Sequence, residues 1–217
     1  MSLGKIGVTV SARTNSKRLP AKAFLPIDGK PSCLFLLDRL RESLNYPLYV
    51  ATTTHHTDDM LANLLNRNNY VVFRGDEENV FNRLLSLAKH FSLDSIVRIT
   101  ADCPMLDGLL VNQLIEESKN LTGWDLITTK GSGLPGLDIE IISRHLMYEL
   151  EAKLNSYDKE HVTSFIYRNA SYFQIAQIGK RGTNSTNHPL LLDTLDDFFK
   201  INEFVEEYGP SYTFGKQ

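Results

Sequence analysis

The sequence predicts an α/β protein in which a mostly parallel, twisted sheet is covered by helices. Three observations lead there. Strand-like and helix-like segments alternate from Lys5 to Asn120; the strand-like ones are short, apolar and rich in β-branched residues; and the segments between them repeat apolar residues with a helical period. In order, Lys5–Val10 reads as a strand, followed by a loop rich in Ser, Arg and Lys, then a helix over 31–44 with Pro31 in its first turn. Strands are expected at Leu48–Thr53, Tyr70–Arg74 and Ser95–Thr100, with helices at Asp58–Asn68, Glu77–Phe91 and Leu109–Asn120. In sheets of this kind ligands sit beyond the carboxyl ends of the strands, near the switch in strand order.

After Trp124–Thr129 the pattern loosens. Gly131-Ser-Gly-Leu-Pro-Gly136 reads as a connector or lid. Strands are expected at Leu137–Ile142, Tyr172–Ile178 and Leu190–Leu192, and helices at His145–Leu154, Lys159–Tyr167 and Asp196–Tyr208. The 217 residues read as one domain, with a less regular region over about 130–180.

A composition of 42% hydrophobic and 23% charged residues is that of an ordinary globular protein. No apolar run approaches the roughly 20 residues of a membrane span, and no signal-peptide pattern precedes Val8, so a cytoplasmic location is expected. Cys33 and Cys103 lack metal-site spacing and read as reduced thiols. The net charge of −3 argues against a nucleic-acid partner, but it is unevenly spread. Residues 1–50 carry Lys5, Arg13, Lys17, Arg18, Lys22, Lys30, Arg39 and Arg41 against Asp28, Asp38 and Glu42. A local positive patch in an otherwise acidic chain suits a polyphosphate ligand better than a duplex.

The segment most able to do chemistry is Ser11–Lys22, directly after the first strand, with four cations in it. Free backbone N–H groups with Arg forks and Lys point charges can wrap a triphosphate. The glycines of a P-loop or a dinucleotide fingerprint are missing. A solvated surface loop is the alternative on composition alone. Thr52 and Thr100, at strand ends, have hydroxyls able to bond a base or ribose, although threonine there is commonly structural. His55-His56 lacks a spaced third ligand and stays unassigned.

Ala12-Arg-x-x-Ser-x-Arg-Leu-Pro-x-Lys22 followed by Gly29-Lys-Pro31 resembles the signature of the cytidylyltransferase family, which includes the CMP-Kdo and CMP-acylneuraminate synthetases and the spore-coat polysaccharide F type proteins. Further matches follow at Val50-Ala-Thr52, Val72-Phe-Arg-Gly75, Val97-Arg-Ile-Thr-Ala-Asp-Cys-Pro104, Gly136-Leu-Asp-Ile-Glu140, Glu160-His-Val-Thr163 and Leu192-Asp-Thr-x-x-Asp197. The Gly-Leu-Asp-x-Glu and Glu-His-Val segments are most similar to the spore-coat branch. Ala21 stands where the family usually has Gly, and Ala101 where Gly often precedes the Asp. A left-handed backbone at position 21, or close approach of phosphates, would account for that preference.

The resemblance implies a Rossmann-like nucleotide-diphospho-sugar transferase fold and transfer of CMP from CTP to a sugar. Ser11, Ala12, Arg13, Ser16, Arg18, Lys22, Thr52 and Thr100 would bind the nucleotide, with Arg13, Arg18 and Lys22 neutralising the phosphates. Asp102 and Asp193 would hold Mg²⁺, a cation that takes one or two carboxylates and completes its shell with water and phosphate oxygens. For Asp193 the alternative is a helix cap. Asp138 and Glu140, placed on one face of a strand by its period of two, would contact the sugar or a metal, and Glu160 with His161, near the start of a helix, would contact the sugar. A solvent-facing Asp138/Glu140 pair is the competing reading. A homodimer, a non-catalytic homologue on the same scaffold, and use of another nucleotide remain open.

Overall fold

The computed structural model describes residues 3–132, 135–179 and 190–214. Its seven-stranded sheet has the order β5-β4-β1-β6-β8-β7-β9, formed by β1 Ile6–Ser11, β4 Leu48–Thr53, β5 Val71–Gly75, β6 Ser95–Thr100, β7 Leu126–Thr128, β8 Glu140–Ser143 and β9 Ile175–Gln177. Two short strands, β2 Pro26–Ile27 and β3 Lys30–Pro31, form a separate hairpin. The helices are α1 Ser32–Ser43, α2 Asp59–Arg67, α3 Val80–His90, α4 Gly108–Ser118, α5 Arg144–Leu150, α6 Ser156–Glu160, α7 Ser164–Arg168 and α8 Leu195–Tyr208.

Strands β5, β4, β1 and β6 run parallel, so Gly75, Thr53, Ser11 and Thr100 end on one edge. Antiparallel β8 then joins the outer pair β7 and β9 to this block. The chain builds from β1 to β5 on one side and returns to β6 on the other, which puts the switch in strand order beside the carboxyl end of β1. Each face of the sheet buries its own core. Val8, Val10, Val50, Val97 and Ile99 pack under α1, α2, α4 and α8, whereas Tyr49, Ala51, Ile96 and Ile142 pack under α3, α5 and α7.

The α/β alternation predicted through residue 120 is present, with ends shifted by a few residues. The helix expected from Glu77 begins at Val80, because the Asp76 carboxylate accepts the amides of Glu78 and Asn79 and Asn79 caps α3. Later boundaries differ more. The strand expected over 137–142 starts only at Glu140, and Leu190–Leu192 is no strand but an irregular stretch tied down by Leu190 N–H to the Pro135 carbonyl and Leu192 N–H to the Asp102 carbonyl. The helix expected over 159–167 is two short ones. An Asn155/Asp158 capping box opens α6, and the chain leaves helical geometry at His161, whose carbonyl accepts the Ser164 amide. Glu160 therefore ends a helix instead of starting one. Of the glycine-rich connector, Gly133 and Leu134 lie outside the described residues.

Two backbone constraints shape the site edge. Asp28 and Gly29, both with positive φ, make the two-residue turn between β2 and β3. Ala21 has φ 56° and ψ 23°, so the left-handed conformation itself accounts for glycine being favoured at this position. Ala21→Gly should raise stability by about 0.5–1 kcal/mol, a gain of ~1–4 °C in melting temperature. Elsewhere, a Cβ on Gly108 would lie 2.4 Å from the Leu40 carbonyl oxygen and 2.6 Å from the Leu44 nitrogen, where α4 meets α1. Gly108→Ala should cost about 2 kcal/mol or more, roughly 4–8 °C, because backbone and not a flexible side chain must give way. Thermal melts of both variants check these values.

Candidate active site

The loop after β1 is held by its surroundings. Ala12 N–H bonds the Ala51 carbonyl, and the Thr14 carbonyl accepts the amides of Ser16 and Ala21. The Thr14 amide and hydroxyl both bond Asp58, each at 2.7 Å, and Thr53 gives Asp58 its amide and hydroxyl as well. Burial opposes ionisation of Asp58, but these hydrogen bonds outweigh it and hold the carboxyl below its ordinary range. Asp58 thus anchors the loop from across β4. It was expected to do no more than open a helix.

At the far end of the loop, Lys22 begins a short 3₁₀ turn, and the Ser32 hydroxyl at the start of α1 holds its carbonyl at 2.6 Å. The Lys22 ammonium lies 2.9 Å from Asp102 Oδ1 and 3.4 Å from Asp193 Oδ1, and donates to the Leu192 carbonyl at 3.2 Å. Only 13% of the Lys22 side chain and 14% of Asp193 are exposed, so this contact is shielded from solvent. Arg18 pairs with the other oxygen of Asp193. Asp102 follows β6, and its carbonyl accepts the Leu192 amide at 2.7 Å, which locks the segment carrying Asp193 to the end of the sheet. The cap of α8 is Thr194, in a capping box with Asp197, so the cap position proposed for Asp193 is filled by its neighbour.

Arg13 pairs with Glu160 Oε1 at 3.0 Å, and that bond holds the Glu160 carboxyl below its ordinary value. All three loop cations expected to meet phosphate therefore face a carboxylate here. Asp102 and Asp193 converge on one ammonium, and the same pair of oxygen donors could hold a hard divalent cation once a phosphate has drawn Lys22 aside. Among the described residues there is no group of three or more His, Cys, Asp or Glu side chains suited to a metal.

The remaining expected residues are spread around this centre. Ser11 and Thr100 end adjacent strands in register; the Ser11 hydroxyl is buried with no hydrogen-bond partner among the described residues, and Thr100 lies 3.7 Å from the Cys103 sulfur. Burial pushes the Cys103 thiol up to about 12, as it does Cys33, which favours the protonated thiol at neutral pH. Thr52 is 0% exposed on the face covered by α1 and α2, and its hydroxyl has no partner among the described residues. Asp138 lies beside Cys103, ahead of β8, so a shared strand face does not relate it to Glu140. Glu140 is not solvent-facing: 4% exposed, it pairs with Arg98 at 2.6 Å and accepts from Thr163 and Tyr167, both at 2.9 Å. His161 is exposed and packs its ring against Tyr157 at 4.3 Å between centroids.

A family model described as cytidylyltransferase matches residues 8–209. The chain is 34% identical over 198 residues to the uncharacterized protein MJ1063 of Methanocaldococcus jannaschii, covering 89% of this chain and 79% of that one. It is 25% identical over 209 residues to the spore coat polysaccharide biosynthesis protein SpsF of Bacillus subtilis, covering 92% and 86%. A solved cytidylyltransferase from Leptospira borgpetersenii superimposes with a TM-score of 0.89 at 26% identity, covering 98% of this chain and 92% of that one. With the same layered sheet and a match over nearly its whole length, the chain belongs to the cytidylyltransferase family, a nucleotidyltransferase of Rossmann-like fold.

Proposed function

We propose that the protein transfers CMP from CTP to a sugar acid or a sugar phosphate, releasing pyrophosphate, in the cytoplasmic synthesis of a surface polysaccharide or glycan. The observation that carries this reading is the convergence of Lys22, Asp102 and Asp193 at the carboxyl end of β6, with Arg13 and Arg18 on the same loop as Lys22. Family membership supports CTP as the donor. SpsF, by name a protein of spore coat polysaccharide biosynthesis, supports the pathway class.

In the proposed reaction an acceptor oxygen forms a bond to the α-phosphorus as the bond to the β-phosphate oxygen breaks, and pyrophosphate leaves with the electron pair. A hydroxyl acceptor also gives up its proton, which is taken up by solvent or by the departing pyrophosphate. Lys22 and Arg18 exchange their carboxylate partners for phosphate oxygens and take up charge that develops on the leaving group. Arg13, released from Glu160 in the same way, adds a third cation to the loop. Mg²⁺ held by Asp102 and Asp193 would supply a fixed positive charge at the phosphate oxygens. Most of the catalysis then comes from positioning and charge stabilisation, with little covalent chemistry asked of the protein.

Lys22→Ala and Asp102→Asn should each lower turnover roughly 10²- to 10³-fold while remaining folded. The measurement is pyrophosphate release from CTP in Mg²⁺ with a panel of sugar acids and sugar phosphates. Near-normal turnover in either folded variant would remove that residue from the assignment.

A further inference from the structure

The edge of the sheet opposite the Lys22 centre carries a cavity of about 660 Å³ that the proposed transfer does not use, within the roughly 300–1,000 Å³ common to small-molecule sites. Gly4, Lys89, Asp94, Arg144, His145 and Tyr148 are among the residues that line it. β6 starts here, at Ser95, and antiparallel β8 ends here, at Ser143, its partner in register. The length of β6 therefore sets the cavity apart from Thr100 and Asp102 by roughly 20 Å.

The floor is rigid. The Asp94 amide donates to the Lys5 carbonyl, its carbonyl accepts the Arg144 amide, and its Oδ2 accepts the Lys5 amide, all at 2.8 Å. Gly4 has φ 57°, and a Cβ there would come 2.6 Å from Asp94 Cβ, so glycine lets the chain pass this close to the carboxylate. The cations above the floor are far less committed. The Arg144 guanidinium has Asp94 as its one ion-pair partner among the described residues, at 3.5 Å, and 36% of the side chain is exposed. Lys89 is exposed and has no carboxylate partner among the described residues; its ammonium stands 5.1 Å above the Tyr148 ring. His145 lies 3.2 Å from Glu149, and the Lys5 ammonium donates to the Phe91 carbonyl. Two available cations thus flank a half-exposed carboxylate and a tyrosine that is 64% exposed.

Together these groups select one kind of ligand. Lys89 and Arg144 suit an anionic group, one as a point charge and the other as a fork. The Tyr148 ring offers a flat apolar face to a ring of similar size. The Asp94 carboxylate, whose Oδ1 has only the long contact to Arg144, accepts from hydroxyls and repels a bare anion. Inorganic phosphate satisfies the first feature alone, and a neutral sugar only the other two. A sugar that carries a phosphate or a carboxylate satisfies all three. We infer that this cavity is an accessory binding site for an anionic sugar, separate from the site of transfer. Arg144 and Lys89 hold the anionic group, Tyr148 packs against the sugar ring and Asp94 accepts from its hydroxyls.

The test is an amide NMR titration of the isotopically labelled full chain with glucose 1-phosphate, glucuronate, glucose and inorganic phosphate, repeated on Arg144→Met, Tyr148→Ala and Lys22→Ala. Both cavity substitutions remove exposed side chains, and the amide spectrum itself reports whether each variant is folded. Saturable shifts of the Gly4, Asp94, Arg144 and His145 amides are expected with glucose 1-phosphate or glucuronate, the tighter of the two naming the anion as phosphate or carboxylate. Arg144→Met and Tyr148→Ala should each weaken that binding about tenfold or more, and Lys22→Ala should stay within about threefold of wild type. Glucose or inorganic phosphate binding as tightly as the anionic sugars would overturn the assignment, as would unchanged affinity in a folded Arg144→Met. Shifts confined to the Ser11–Lys22 loop, or none at the cavity, would remove the accessory site and leave the transfer reading to stand or fall on pyrophosphate release.

Discussion

The site depends on one ammonium held between two carboxylates. Asp102 and Asp193 come from segments far apart in the chain, and two like charges this close would repel each other strongly in so sheltered a place. Lys22 removes the conflict by standing between them, 2.9 Å from one and 3.4 Å from the other. Its own position is fixed by Ser32 on one side and the Leu192 carbonyl on the other. The loop after β1, the end of β6 and the approach to α8 are thereby joined into one charged unit.

In the proposed reaction the same arrangement would couple the two ligands, nucleotide and metal. A polyphosphate that attracts Lys22 and Arg18 leaves Asp102 and Asp193 without their cations, which raises their affinity for a divalent ion. An ion bound there in turn frees the lysine for phosphate. Linkage requires that whatever nucleotide does for the metal, metal does equally for the nucleotide. The Arg13–Glu160 pair extends this to the far wall, where a cation of the loop is held by a carboxylate at the end of α6. Under the proposed function these internal ion pairs are partners that ligands would displace, more than stabilising contacts in their own right.

Much of the architecture was legible because its parallel strands are buried on both faces and read as compact apolar runs, as at Leu48–Thr53 and Ser95–Thr100, both of which match the observed ends. Beyond residue 130 the local signals were weaker and the reading poorer. The break between α6 and α7 has no Gly or Pro to mark it; Asn155 and Asp158 carried a capping signal that places a helix start ahead of the expected one. Asp28-Gly29 is a legible turn signal for the β2–β3 hairpin. The position of the loop cations and of Asp102 just past strand ends was legible from the sequence. The pairing of Lys22 with Asp193, 171 positions away, was not, because no local pattern encodes it. Thr14 and Asp58 were missed since each looks like ordinary loop and helix-start chemistry.

The most direct test of a metal-linked cytidine site is a thermal titration of the wild-type protein with CTP, UTP, GTP and ATP, in Mg²⁺ and again in EDTA. At a hundredfold excess over its dissociation constant, a ligand selective for the native state adds about 2.7 kcal/mol, on the order of 5–10 °C for a chain of this size. The expected result is a rise of that order with CTP, smaller or absent with the purine nucleotides, that collapses when the metal is removed. No shift with any nucleotide at millimolar concentration, or a CTP shift indifferent to EDTA, would contradict the coupling of Lys22, Asp102 and Asp193 to a metal–nucleotide complex.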